Sequence, residues 1–174
     1  LNLDGGTIKA RSSNANFMHD FDAANVLAGG VTVDTDTNTI GIAQALVDAG
    51  GGGLTKTGTG TLRLNGVNTY TGTTLVSQGT LGGTGTIAGP VSVAAGASFA
   101  PGASIGTLTI NNTLDLAGTS TTVIEVSKNA ATNDVVTGVS TLTYGGTLVM
   151  KNLGGVLAVN DTFKVFNAAA YLGS

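Results

Sequence analysis

Apolar and polar residues alternate with a period of two in short runs along the whole chain. The runs are Val31-Thr32-Val33, Thr61-Leu62-Arg63-Leu64, Val91-Ser92-Val93, Thr107-Leu108-Thr109-Ile110, Leu114-Asp115-Leu116, Val123-Ile124-Glu125-Val126, Thr147-Leu148-Val149-Met150 and Phe163-Lys164-Val165-Phe166. This is the pattern of strands that press one face on a core and turn the other to water. Leu62/Leu64 and Leu114/Leu116 would point inward, leaving Arg63 and Asp115 outside, and a slip of one residue would bury those charges. Only Ile42 to Ala49 leans toward helical composition; it is short and runs into Gly50-Gly51-Gly52-Gly53, so it reads as a loop or a single turn. Pro90 and Pro101 stand beside glycines and mark the edges of coils, since proline cannot donate to a strand ladder.

The strands carry a recurrent opening, Gly-Thr followed by Leu or Ile, at Gly6-Thr7-Ile8, Gly60-Thr61-Leu62, Gly79-Thr80-Leu81, Gly85-Thr86-Ile87, Gly106-Thr107-Leu108 and Gly146-Thr147-Leu148. Several of the steps between them lie near multiples of twenty, about the length of one turn of a parallel β-helix. Glycine supplies a corner, Thr starts the strand, and Leu or Ile enters the interior. One such coil cannot bury its apolar face alone, so the coils must stack. The prediction is an all-β parallel β-helix, a β-solenoid of roughly eight or nine coils and about 40 Å long at the ~4.8 Å strand spacing. Gly50 to Gly53 is the candidate flexible joint between less regular coils over residues 1–50 and more regular ones after it.

Composition narrows the partners. Apolar residues make up 41 % and the mean hydropathy is +0.31, enough for a real core. Only 10 % of residues are charged, so Thr, Ser, Asn and Gly must cover the surface. The net charge is −3 and the seven cations are scattered, so no basic field gathers phosphates and nucleic acid is not expected as a partner. Cysteine is absent, which removes disulfides, thiolate metal sites and cysteine nucleophiles. No apolar run approaches the ~18 residues of a membrane span, and no membrane insertion is expected. The start at Leu1 and the stop at Ser174 suggest a segment cut or processed from a larger protein.

From Gly53-Leu54-Thr55-Lys56-Thr57-Gly58-Thr59-Gly60-Thr61-Leu62 through Asn68-Thr69-Tyr70-Thr71-Gly72 to Gly79-Thr80-Leu81, the chain closely resembles the passenger-associated transport repeat of bacterial autotransporters. Phe99-Ala100-Pro101-Gly102-Ala103-Ser104-Ile105-Gly106-Thr107-Leu108, and the stretches around Asp134-Val135-Val136, Gly145-Gly146-Thr147-Leu148 and Asp161-Thr162-Phe163, look like the coils that follow such a repeat. The resemblance covers roughly residues 51–174; one glycine, Gly72, stands where the family commonly has two. It implies a right-handed parallel β-helix exported to the outside of a Gram-negative-type bacterium, extracellular or at its surface, with a separate C-terminal barrel that this stretch lacks. The organisation expected is a single β-helix segment over 1–174, with the repeat at 51–83 and following coils at 84–174. The expected role is non-enzymatic structure and display, an autotransporter-passenger-like segment supporting adhesion or self-association. Its partners would be adjacent coils of the same protein, further copies, or a glycan or host surface. The alternatives are a self-assembling extracellular fibre subunit and a polysaccharide-binding or polysaccharide-cleaving β-helix.

Residues able to carry chemistry are few. Asp34, Asp36 and Asn38 alternate as in the opening of a calcium loop, but Thr39 and Ala45 stand where its glycine and bidentate Glu belong, and an exposed turn accounts for them. Asp115, Glu125, Asp134 and Asp161 are the carboxylates that could serve glycoside cleavage if two flanked a groove. His19 beside Asp20 is read as a surface residue, on the argument that neighbours in a strand point to opposite faces. Gly50 to Gly53 is followed by no Gly-Lys-Ser/Thr, so it is no phosphate loop. Tyr70 is either a stacking platform for sugars or a corner packed over its own coil. Asn65, Asn68, Asn111 and Asn112 suit side-chain ladders between coils. No catalytic, cofactor or metal residue is therefore assigned.

Overall fold

The computed structural model describes residues 1–173, and they wind into a stack of about seven coils with parallel strands. One face is a continuous ladder of Asn14–Met18, Thr39–Ile42, Thr61–Leu64, Thr80–Gly83, Ser98–Pro101, Thr121–Ser127 and Thr147–Gly154, one strand from each coil. A second face stacks Gly6–Lys9, Val31–Asp34, Leu54–Thr57, Thr74–Val76, Val91–Val93 and Leu114–Leu116. A third is built in two parts: Asn2–Leu3, Ala24–Val26 and Leu46–Asp48 below, then Val67–Asn68, Thr86–Ile87 and Thr107–Ile110 above. Val135–Thr143 then pairs with both Thr107–Ile110 and Leu114–Leu116, so the last complete coil unites two faces in one strand, on which Phe166–Leu172 is laid. The antiparallel partner among the strands is Thr132–Asn133, folded back on Thr121–Ser127.

Registration is residue on residue. On the first face Ile40, Leu62, Leu81, Phe99 and Thr122 lie in line and all point inward. On the second, Val33, Lys56, Val76, Val93 and Leu116 do the same. A parallel stack can do this because its strands repeat at the same height in each coil, so like side chains meet like and the interior is filled by columns.

Coils number about seven, fewer than expected from a twenty-residue period, because their perimeters vary and most exceed it: Gly6 pairs with Val31, 25 positions on, and Val31 with Leu54, 23 positions on. Thr74 pairs with Val91, 17 positions on, whereas Leu114 pairs with Leu142, 28 positions on. The surplus leaves at corners, as in the hairpin after Ser127. The irregular Gly-Thr steps have the same origin: Thr80 and Thr86 begin strands on two faces of one coil.

Three local expectations are corrected. Within Ile42 to Ala49 the structure has the end of one strand, Thr39–Ile42, and a further strand, Leu46–Asp48, with Leu46 fully buried. Phe163-Lys164-Val165 is not a strand; pairing starts at Phe166, because this stretch follows the turn closed by Asp161 Oδ2, which accepts the Ala158 N–H. The Gly50–Gly53 run is no loose joint. A Cβ on Gly52 would lie 1.8 Å from the Leu27 carbonyl oxygen and one on Gly53 2.3 Å from that of Thr73, so these glycines are where successive coils press backbone on backbone.

Candidate functional site

The surface feature with most chemistry is a cleft on the outside of the Thr61–Leu64 ladder. It is lined by Thr61, Arg63, Thr80, Ala100, Ser104, Glu125 and Asp134 among others, and encloses about 140 Å³. A second cleft of about 340 Å³ adjoins it and shares Arg63 and Ala103, continuing over Ser13, Ala15, Thr39 and Gly41. Alternation decides which side chains reach it: Leu62 and Leu64 take the core, so Arg63 must emerge. The wall is a loop that leaves the ladder after Pro101. Gly83 and Gly102 exchange two backbone hydrogen bonds at its base, 2.9 and 2.8 Å, and Gly102 adopts φ +89°, which favours glycine.

Asp134 fixes that wall. It is 1 % exposed; its Oδ1 accepts the Gly106 N–H at 2.9 Å and its Oδ2 accepts the Glu125 N–H at 2.7 Å. Burial raises its pKa above the usual carboxylate range, and the two backbone donors oppose the rise. Glu125 emerges two positions after Val123 and is held by Lys151 Nζ at 2.8 Å. Of the carboxylates singled out for glycoside cleavage, Glu125 and Asp134 thus share a cleft, with both Asp134 oxygens engaged by backbone. Asp115 is exposed on another face, level with Ser92. Asp161 pairs with Lys128 at 2.8 Å, which lowers its pKa, in a separate hollow beside Asn133 and Phe163.

The remaining candidates are occupied by their own neighbours. Asp34 Oδ1 accepts the Asp36 N–H at 2.8 Å, and Lys9 Nζ sits 3.2 Å from Asp34 Oδ2 and 3.6 Å from Asp36 Oδ2. The Asp36 amide and then Lys9 hold the Asp34 pKa below its ordinary value. Asn38 Nδ2 donates instead to the Ala10 carbonyl. His19 and Asp20 do touch, Nδ1 to Oδ2 at 2.6 Å: they lie beyond the end of Asn14–Met18, and Asp20 at φ 60° turns the pair to one side, so opposite-face geometry does not apply. Tyr70 is fully buried, its hydroxyl 2.6 Å from Thr74 Oγ1, so it packs a corner and offers no platform; burial pushes its phenol pKa up.

The asparagines bridge coils through backbone more than through one another. Asn68 is fully buried; its Nδ2 donates to the Gly66 and Thr86 carbonyls, both at 3.0 Å, and its Oδ1 accepts the Leu46 N–H at 3.2 Å, which ties three successive coils. Asn65 Oδ1 accepts the Thr84 N–H, and Asn112 Nδ2 donates to the Ala88 carbonyl at 3.4 Å. Asn111 sits at a corner against Gly138 of the next coil. An amide-to-amide rung does occur, from Asn25 to Asn2 at 2.9 Å.

Lys56 is a residue that the sequence reading passed over. It is fully buried within a column of valines, and its ammonium donates to the carbonyls of Thr57 (2.7 Å), Gly58 (2.7 Å) and Gln78 (3.0 Å), the last from the next coil. Burial pushes its pKa down to about 8, against the pull of Asp34. The signal was present: Leu54 faces in, so period two sends Lys56 in as well.

Residues 54–82 match the family model of the passenger-associated-transport-repeat. That span contains Lys56, Arg63, Asn68, Tyr70 and Thr74. No curated protein and no solved structure matches the chain. The match and the stacked coils together make this an autotransporter-passenger-like β-helix segment. Among the described residues no helix is long and apolar enough to cross a membrane, which says nothing of β-barrels.

Proposed function

We propose that this chain is a non-enzymatic display segment of a larger exported protein at the surface of a Gram-negative-type bacterium, a rod that supports adhesion or self-association. The observation that carries the reading is the repeat at 54–82 set within a ladder that passes without a break from the first coil to the last. In that repeat Lys56 joins one coil to the next, and Asn68 joins its coil to the coils on both sides. Such a stack resists unfolding and proteolysis because each coil is protected by its neighbours. The non-enzymatic part is supported by the engagement of Glu125 with Lys151 and of Asp134 with backbone donors, which leaves no free carboxylate pair in the cleft.

The test is to fuse the chain to an outer-membrane barrel, display it on a diderm host, and measure surface exposure by antibody together with attachment and cell-to-cell aggregation. Exposure with attachment or aggregation above a barrel-only control is expected. Exposure with neither overturns adhesion and self-association, and failure to reach the surface overturns display. A second reading is a fibre subunit, in which copies of the chain pair through strand edges. Sedimentation as a function of concentration tests it: open-ended growth supports a fibre, and a fixed mass excludes one.

A further inference from the structure

We propose that Lys56 is a register key: its buried ammonium fixes the height at which Thr74–Val76 settles on Leu54–Thr57, against a slip of two residues that alternation alone permits. The inference concerns how the coils find their places and stands apart from the display reading.

The pattern of the strands leaves that slip open. A shift of one residue turns the apolar set outward, but a shift of two returns every side chain to its own face. Thr74 and Val76 would still point inward on Leu54–Thr57. The buried bond of Thr74 with Tyr70 does not oppose the move, since both residues lie on the stretch that shifts. Corners can take up two residues, as their lengths already differ by more: Leu54 lies 23 positions after Val31, Thr74 20 after Leu54, and Val91 17 after Thr74.

Lys56 removes the ambiguity. It is the one cation buried among the described residues, in a column whose other members include Val33, Val76, Val93 and Leu116. Its ammonium has three donors and meets three carbonyls. Those of Thr57 and Gly58, at 2.7 Å each, belong to its own corner and aim it; that of Gln78, at 3.0 Å, belongs to the next coil. The Thr57 carbonyl also accepts the Thr35 N–H and Oγ1 of the preceding coil, both at 3.1 Å, so the corners of three coils meet here. The turn above closes directly on the ammonium: Gly79, at φ +72°, would place a Cβ 2.8 Å from Lys56 Nζ. A slip of two residues carries Gln78 ~6.6 Å along the strand and leaves a buried ammonium one acceptor short. Burying a charge costs more than burying an apolar side chain of that size, so Lys56 contributes position rather than strength.

The test traps the register with cysteines, of which the chain has none of its own. Thr55→Cys with Leu75→Cys marks the native pairing, and Thr55→Cys with Thr73→Cys or with Ser77→Cys marks a slip in either direction. Partners in register lie ~4.8 Å apart, whereas the slipped pairs are ~8 Å apart in the native ladder, beyond the reach of a disulfide. Each pair is refolded in a glutathione buffer at pH 7 and the closed fraction is read by mass. With Lys56 in place the native pair should close and the slipped pairs stay at trace level. Adding Lys56→Met should keep native closure and raise slipped closure at least ~tenfold, the worth of one hydrogen bond to a charged group. Val93→Ala weakens the same column without touching the ammonium and should leave the slipped pairs as they were. Substantial slipped closure with Lys56 in place, no rise with Lys56→Met, or an equal rise with Val93→Ala would each overturn the proposal. Loss of native closure in Lys56→Met would overturn it as well, because Lys56 would then hold the strand rather than place it.

Discussion

Replacing Lys56 by Met exposes how much the buried ammonium costs. The side chain has similar length, so the column of Val33, Val76 and Val93 stays filled while the charge disappears. The folded-state pKa of Lys56 is lowered to about 8 from an ordinary 10.5. Between those two values the unfolded chain binds the proton that the folded chain has released, so stability rises with pH through that window and the cost of the charge is fully present below it. At ~1.36 kcal/mol per pKa unit the gain is about 3 kcal/mol. Asp34, with Lys9 and Asp36 beside it, remains ionised throughout and contributes a constant background. Tyr70 titrates in the opposite sense, but it is present in both proteins and cancels in the difference. The assay is urea unfolding followed by circular dichroism from pH 7 to 10.5, wild type minus Lys56→Met, with the Lys56 Cε shift titrated by NMR. Wild type should gain on the variant by about 3 kcal/mol across the window, with an NMR midpoint near 8. Parallel stability profiles, or a midpoint at the ordinary lysine value, would refute the reasoning. At pH 7 the two proteins should lie close together, since Met relieves the buried charge but strips donors from the carbonyls of Thr57, Gly58 and Gln78.

Other substitutions probe other joints of the stack. Asn68→Ala leaves the Leu46 N–H and the Gly66 and Thr86 carbonyls without this partner and should cost about 3 kcal/mol in urea unfolding. Thr122 points inward in line with Phe99, and its buried hydroxyl has no hydrogen-bond partner; Thr122→Val should stabilise by about 1 kcal/mol, read as a raised melting temperature. Gly52→Ala would set a methyl 1.8 Å from the Leu27 carbonyl oxygen and should cost about 3 kcal/mol, with faster proteolytic cutting near that corner than in wild type.

Strand identity was legible in the sequence because alternation is a local property. Thr61–Leu64, Val91–Val93, Thr107–Ile110 and Leu114–Leu116 lie where the pattern puts them. Leu46–Asp48 escaped because one buried leucine in a strand of this length makes no pattern. Phe163 to Val165 misled for the opposite reason, as alternation there is not matched by a ladder to join. Coil count was hidden because perimeter depends on the length of the corners, which changes from coil to coil. The cleft was less legible still. Glu125 and Asp134 are brought together by a hairpin whose existence depends on tertiary pairing, and Arg63 reads as one more outward charge until the loop beyond Pro101 rises beside it.

Unequal perimeters have a consequence for how this rod keeps its order. If every storey had the same circumference, a length of chain could shift up or down by one storey and find an equally good seat. Here a storey of 17 residues lies under one of 23, then one of 28, as the steps from Thr74 to Val91, Leu114 and Leu142 show. A displaced storey would leave its corners overhanging or short, so the sequence admits a single stacking order.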